Sequence, residues 1–313
     1  MRLINSTLIS QKCDYSFGDQ ASYIHNLSDK YMSDANIDNQ AFITKYEELK
    51  KNNIKIMFLF IDNIRLYKRS VTVNNPIDKA HIDKLYLTND LLETCSKLPD
   101  MNFIIFTGHE DTPIDSYIEG RIPKNVLVIY AVNAVYNNDK IKPLPYGMQR
   151  KLNNNDNRID FLTNLVNNEN NIIPSKLLYV NHSIQTNYIE RNGINELFVN
   201  KPWATVDTTK LEYYDFISKI LNHKFMICPI GNAIDCHRNW EVLYLRRVPV
   251  MKYNEYLVKL FKDFPVLFVD NYKDITEELL TKNDVLFNNA INFNMERLNV
   301  DRLLLDLTKR FYE

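Results

Sequence analysis

Apolar residues recur at helical spacing over residues 40–51, within an otherwise polar and irregular stretch of 50 residues. From residue 54 the pattern changes. IKIMFLFID is a continuous apolar run ending in polar residues, which is how a strand covered on both faces of a sheet reads. Helical periodicity follows over 77–98, and then two more buried-strand runs, MNFIIFTGHED and NVLVIYAVNA, each opening onto a polar loop. The rhythm restarts after the Asn-rich stretch 152–175, which itself holds a short helix pattern. KLLYVNHS reads as a strand, TNYIERNGINELF and LEYYDFISKILNH as helices, KFMICPIGN as a strand with its loop, and CHRNWEVLYLRR as a helix. VPVMK, NEYLVKLFKDF and VLFVD then read as strand, helix and strand.

Two successive α/β units predict two Rossmann-like domains facing one another across a cleft, with ligands outside the carboxyl ends of the strands. The expected division is 1–50 as an N-terminal extension, 51–170 as the first domain and 171–283 as the second. Residues 284–313 are expected to be helices that pack back toward the first domain.

Composition narrows the function. Lys and Arg number 38 against 39 Asp and Glu, so no polyanion-binding surface follows from the total charge and nucleic acid is not an expected partner. The longest apolar run is only strand length, and the N-terminal text has no signal-peptide core, so a membrane span is not expected and a cytoplasmic location is. Four cysteines, Cys13, Cys95, Cys228 and Cys236, are too few and too irregular for a disulfide framework or a Cys-x-x-Cys metal site. Only six glycines occur in 313 residues, while Asn, Ile, Lys and Tyr abound. Such a bias is that of an A/T-rich genome, and it makes Gly108, Gly147 and Gly231, each after a strand-like run, informative.

The segment with the clearest chemistry is 224–252. A strand ending at Cys228 turns through Pro229, Gly231 and Asn232 and enters a helix near Asp235, with His237, Arg238 and Glu241 in its first turns. A helix N-terminus there offers N–H groups and the positive end of its dipole to a diphosphate. Arg238 adds a forked guanidinium, and Glu241, three residues on and so on the same face, suits a pair of ribose hydroxyls. The plainer account makes Asp235 an N-cap and Arg238 with Glu241 a surface ion pair.

This segment resembles the nucleotide-sugar-binding core of exostosin-type glycosyltransferases, F-x-x-C-P-x-G-x-x-x-D-x-x-R-x-W-E-x-L followed by P-V. Phe225, Cys228, Pro229, Gly231, Asp235, Arg238, Trp240, Glu241, Leu243, Pro249 and Val250 stand in register. The chain departs at Arg246 and Arg247, where relatives often carry Gly-Cys or Gly-x, which leaves the turn there open. Upstream, Thr186 and Arg191 match; Asn181, Ser183 and Thr186 would line a loop and Arg191 would reach phosphate, or the stretch is simply a capping loop. In the first domain FTGHED is similar to T-H-N-S-D, with Thr107 and Asp111 matching, and Asn133 and Gly147 match in the third strand's loop and in PLPYG. The likeness is strongest among the viral and bacterial members and runs from about residue 103 to 270.

What the resemblance implies is a GT-B type transferase that moves a sugar with inversion from a nucleotide-diphosphate sugar, UDP favoured and GDP possible, to a hydroxyl of a glycan or glycoprotein. Nucleotide-sugar contacts are expected from Asn181, Ser183, Thr186, Arg191, Pro229, Gly231, Asn232, Asp235, His237, Arg238 and Glu241. Acceptor-side contacts are expected from Asn133 and Gly147. Asp111 is the expected base, with His109 and Glu110 as substitutes. No two aspartates are separated by one residue anywhere in the chain, so neither the D-x-D metal site of GT-A enzymes nor any essential metal or cofactor is expected. Tyr213, Tyr214, Trp203 and Trp240 suit sugar stacking, although at helical spacing such residues are more often core. Together with the composition, the likeness implies a virus-encoded enzyme acting on glycoproteins in the cytoplasm of a host cell. The rival expectation is a non-catalytic glycan-binding or scaffolding protein on the same fold.

Overall fold

The computed structural model describes residues 1–17, 40–62, 91–108, 111, 113–136, 138–149, 156–168 and 172–312. The chain is mixed α/β and divides into two compact units, one of residues 5–146 and one of residues 1–4 with 147–313. Each is built on its own parallel sheet of five strands. No described helix is long and apolar enough to cross a membrane.

In the unit of residues 5–146 the strands are β1 (Tyr15–Ser16), β2 (Ile56–Asp62), β3 (Asn102–Gly108), β4 (Val126–Ala131) and β5 (Ile141–Pro143), hydrogen-bonded in chain order. The central pair is in continuous register from Ile56 with Asn102 to Asp62 with Gly108. Helix α1 (Ser6–Ser10) packs near the same strands, and α2 (Gln40–Lys51) buries Phe42, Tyr46 and Leu49, spaced at four and three residues as one helix face requires. With Leu91, Leu92 and Cys95 of α3 (Leu91–Ser96), they cover Met57, Leu59, Ile61, Phe103 and Ile105. Of the helix expected over 77–98, only α3 falls within the described residues.

The described residues among 1–50, which are 1–17 and 40–50, are not a separate extension. Tyr15 and Ser16 pair with Leu59 and Phe60 as an edge strand, α2 enters the core of the same sheet, and α1 packs near β2 and β3.

The second unit contains β6 (Lys176–Val180), β7 (Ala204–Val206), β8 (His223–Ile227), β9 (Val248–Lys252) and β10 (Leu267–Val269), in the spatial order β10-β9-β8-β6-β7. Chain order therefore reverses between β6 and β8. Helices α4 (Arg158–Asn167), α5 (Tyr188–Arg191), α6 (Ile194–Phe198), α7 (Tyr213–Leu221), α8 (His237–Tyr244), α9 (Glu255–Leu260), α10 (Glu277–Lys282), α11 (Asp284–Ile291) and α12 (Val300–Thr308) complete it. The single helix expected over TNYIERNGINELF is two, because Gly193 takes φ +82 between α5 and α6.

The division between units falls at Tyr146 and Gly147 rather than in the Asn-rich stretch. Beyond β5 the chain joins its own N-terminus: Met148 N–H donates to the Ile4 carbonyl at 2.7 Å, and Val300 N–H to the Arg2 carbonyl at 3.0 Å. Gly147, at φ +68, lies so close on the Ile4 carbonyl that no side chain fits there. The closing helices likewise group with the second sheet, not the first as expected. Phe287 and Ala290 of α11 enter its core, Asp284 pairs with Lys224 at 2.6 Å, and Tyr244 Oη donates to the Leu298 carbonyl.

The turn left open at Arg246 is a left-handed one, with φ +56, a conformation that costs an L-residue about 1–2 kcal/mol. Its guanidinium donates to the Ile291 and Phe293 carbonyls, which anchors the end of α11. Arg247 is buried and donates to the carbonyls of Leu221, Leu245 and Ile172. Both arginines are therefore supports of the fold.

Candidate functional site

In open α/β sheets the ligand crevice lies where the loops after two neighbouring strands diverge at a reversal of strand order. In the second unit that point is between β6 and β8. The loop after β6 carries Asn181, His182, Ser183 and Thr186, and the loop after β8 runs from Cys228 to Cys236 into α8. The sheet of residues 5–146, with its strands in chain order, has no such reversal among the described residues.

Arg191 ties the two loops together. Its Nε donates to the Ile230 carbonyl at 2.9 Å, Nη1 to the Ser183 carbonyl at 2.9 Å and Nη2 to the Pro229 carbonyl at 3.2 Å. It is buried, and burial next to Arg238 pulls its proton affinity below the ordinary guanidinium range. The expected reach to phosphate is thus replaced by a clamp. Gly231 is required by this packing, since a Cβ there would sit 2.9 Å from Arg191 Nη2 and 3.0 Å from Cys236 Sγ. Asn187 adds a bond from Nδ2 to the Gly231 carbonyl at 2.8 Å. Asn181 donates to the carbonyls of Asp207 and Thr209, while Ser183, Thr186 and Asn232 are exposed on the loops.

Asp235 is a correction to both sequence accounts. It is completely buried, accepts from the Trp240 indole N–H with both oxygens at 3.0 and 2.9 Å, and accepts from Asn239 Nδ2 at 3.0 Å. It is not the cap of the helix: the N-cap of α8 is Cys236, whose side chain makes no capping bond. Trp240 is core, packed on Phe261 at 4.9 Å between ring centres, as is the half-buried Trp203 against Phe198. His237 Nδ1 lies 2.7 Å from the Gly147 carbonyl, so that nitrogen carries the proton. Gly147, expected on the acceptor side, belongs to the second unit and positions His237.

Arg238 and Glu241 do not form a surface pair. Glu241 is buried at 9% exposure, and burial raises its proton affinity, opposed by Arg238, the Tyr213 hydroxyl and Arg158. Tyr213 Oη is buried beside it without a hydrogen bond of normal geometry, and burial pushes that phenol up as well. Arg158 forks onto Asp156 at 2.9 and 2.6 Å and lies 5.8 Å from the Tyr213 ring centre. Arg238 is half-buried 5.9 Å from the Phe216 ring centre, and its Nε is buried without an acceptor. Among the described residues its guanidinium has no ion-pair partner. Tyr214, the other aromatic considered for stacking, is spent on Phe161 at 4.6 Å and on Asn157.

Sequence reasoning missed His182, Arg158 and Asp156. A signal for His182 existed, a polar residue immediately after a buried strand. Arg158 and Asp156 sit in Asn-rich text that carries none.

In residues 5–146, Asp111 is exposed after β3 and accepts from Tyr146 Oη at 3.1 Å. His109 and Glu110 lie outside the described residues. Asn133 is buried at φ +51, and its carbonyl receives the Ile114 and Val135 N–H groups, so its backbone makes the turn after β4. The buried thiol of Cys228 is pushed up to about 12, and that of Cys236 is raised for the same reason, which removes both as nucleophiles at neutral pH.

Burial of the site's histidine has a measurable cost in acid. His182 is pushed down to about 4 by burial and by the Arg238 charge, and the buried His223 is lowered too. Between the ordinary imidazole range near 6.5 and about 4, the unfolded chain binds more protons than the fold, so stability falls as pH drops through that window. Glu241 acts in the opposite sense, its protonated form being the one that burial favours. The His182 contribution alone reaches about 3 kcal/mol. Melting temperature should therefore be lower at pH 4.5 than at pH 7, with a smaller gap in His182→Gln; equal gaps would show that His182 titrates normally.

No protein-family model matches this chain, and no curated protein matches it.

Proposed function

We propose that the protein is an inverting, metal-independent glycosyltransferase of the exostosin type with GT-B organisation. Its donor is a nucleotide-diphosphate sugar, UDP by preference and GDP as the alternative, and its acceptor is a hydroxyl of a glycan or glycoprotein. The observation that carries the reading is Arg238. An arginine with a buried, unpartnered Nε stands at the head of an eight-residue helix, next to the strand-order reversal of a parallel sheet, with a buried carboxylate three residues on. A diphosphate supplies the missing acceptor, and ribose hydroxyls suit the Glu241 carboxylate.

In this reaction the acceptor oxygen attacks the anomeric carbon as the bond to the diphosphate breaks. Arg238 and the first N–H groups of α8 take the charge that develops on the leaving group. Asp111 takes the acceptor's proton. Without a D-x-D pair in the sequence, neutralisation of the leaving group rests on Arg238, so excess EDTA should leave turnover unchanged. Complete inhibition reversed by a divalent ion would overturn that part. The A/T-biased composition extends the proposal to a viral enzyme working in a host cytoplasm.

A screen of UDP- and GDP-sugars for slow donor hydrolysis, paired with calorimetric titration of UDP and GDP, tests the reading without knowledge of the acceptor. Hydrolysis of one donor class names it. Absence of nucleotide binding at millimolar concentration would replace the transferase by the non-catalytic glycan-binding protein.

A further inference from the structure

His182 follows β6 directly and is only 5% exposed. Its Nε2 lies 3.4 Å from the Arg191 carbonyl, a group that only accepts, so the neutral ring carries its proton on Nε2 and a lone pair on Nδ1. That Nδ1 is buried, and among the described residues no group donates to it. Across the strand-order reversal, Arg238 Nε is the complementary case, a buried N–H with no acceptor. A buried polar atom left unsatisfied costs about 1–3 kcal/mol. One on the loop after β6 and the other in the first turn of α8, which follows the neighbouring β8, form an arrangement that a ligand completes.

The two atoms ask for different chemistry. Arg238 takes an anionic oxygen, whereas a lone pair on Nδ1 takes an O–H or N–H. Arg191 cannot serve either, because its guanidinium is turned onto the Ser183, Pro229 and Ile230 carbonyls. We propose that His182 is a further ligand-binding residue of this site, its Nδ1 accepting a hydroxyl of the same molecule whose phosphate rests on Arg238. The ligand is then a phosphate-linked sugar rather than a bare inorganic anion. This rests on the donor reading for the identity of the molecule, but the two unpaired atoms are independent of it.

The surroundings hold the ring in the accepting form. Burial and the Arg238 and Arg191 charges oppose a second proton and outweigh the bond to the Arg191 carbonyl and the Glu196 charge that favour one, so the ring stays neutral to about pH 4. The lone pair is therefore present throughout the physiological range.

The test uses the full chain labelled with 15N-histidine and titrated with UDP-glucose, GDP-mannose and inorganic pyrophosphate, the His182 resonances being assigned by their loss in His182→Asn. A nucleotide sugar should move the Nδ1 resonance upfield, as acceptance of a hydrogen bond does, and pyrophosphate should not. His182→Phe should weaken nucleotide-sugar binding about three- to tenfold, and His182→Asn, whose amide oxygen reaches the place of Nδ1, should recover most of it. If a nucleotide sugar binds while Nδ1 stays unmoved, His182 is not a ligand residue and the donor reading stands. Equal movement with pyrophosphate would overturn the hydroxyl assignment, and a chain that binds none of the three probes would overturn both readings. Should His182→Phe fail to fold, the titration of the unaltered chain decides.

Discussion

Asp111→Asn should lower turnover by roughly 10²- to 10⁴-fold, the usual contribution of positioned proton transfer, while nucleotide-sugar affinity stays at the parent value. The amide keeps the size of the side chain and loses its basicity. It also keeps an oxygen able to accept the Tyr146 hydroxyl at 3.1 Å, so that contact at the carboxylate survives the change. A competing account, in which Asp111 caps the helix that follows the strand, is removed by the fold. The short helical turn beyond it, Ser116–Ile118, is capped by Asp115, whose carboxylate accepts the Tyr117 N–H at 3.0 Å. Loss of turnover therefore reads as loss of the base and not of local structure. Steady-state rates and calorimetric donor affinities on the same preparation separate the two. Near-normal turnover would move the base to His109 or Glu110.

How much of this was legible in sequence depends on what each residue has to say locally. β2, β3, β4, β6, β8 and β9 are runs of buried apolar residues and were readable because a strand covered on both faces leaves no polar interruption. β1, β5 and β7 were not, since two or three residues carry no period, and Pro143 and Ser16 argue against a strand until a neighbour supplies the pairing. The placement of residues 1–4 and 284–313 was invisible for a different reason. It depends on contacts such as Ile4 N–H to Tyr244 Oη, separated by 240 residues, which no local pattern encodes. At the site, spacing correctly put Arg238 and Glu241 on one face of one helix. It could not tell a carboxylate set beside an arginine from one turned onto an indole, which is why the structure corrects Asp235, in the same motif, to a buried partner of Trp240. Arg191 shows the same blindness: a guanidinium suited to phosphate is equally suited to three carbonyls of a loop.

Arg238→Ala separates binding from folding more sharply than any other change at the site. In most half-buried arginines truncation loses hydrogen bonds to protein groups and stability falls. Here the guanidinium has no hydrogen-bond acceptor among the described residues, and it lies 5.9 Å from the Phe216 ring centre. Removing it relieves an unsatisfied Nε, so the melting temperature should hold or rise, the pattern of a residue kept for function at some cost in stability. Binding should move the other way. A charge-assisted contact to a diphosphate is worth roughly 1.5–3 kcal/mol, so affinity for UDP or GDP should fall from about tenfold to more than a hundredfold. Arg238→Lys should lie between, because an ammonium restores the charge without the fork. Loss of the charge also removes the strongest of the groups that favour the ionised form of Glu241, which leaves that buried carboxylate still more reluctant to lose its proton. Given the proposed contact of ribose with Glu241, the deficit of Arg238→Ala should accordingly be larger for a nucleotide than for inorganic pyrophosphate. Unchanged nucleotide affinity in a well-folded Arg238→Ala variant would remove Arg238 from the site, and a collapse of the melting temperature would make it a structural residue.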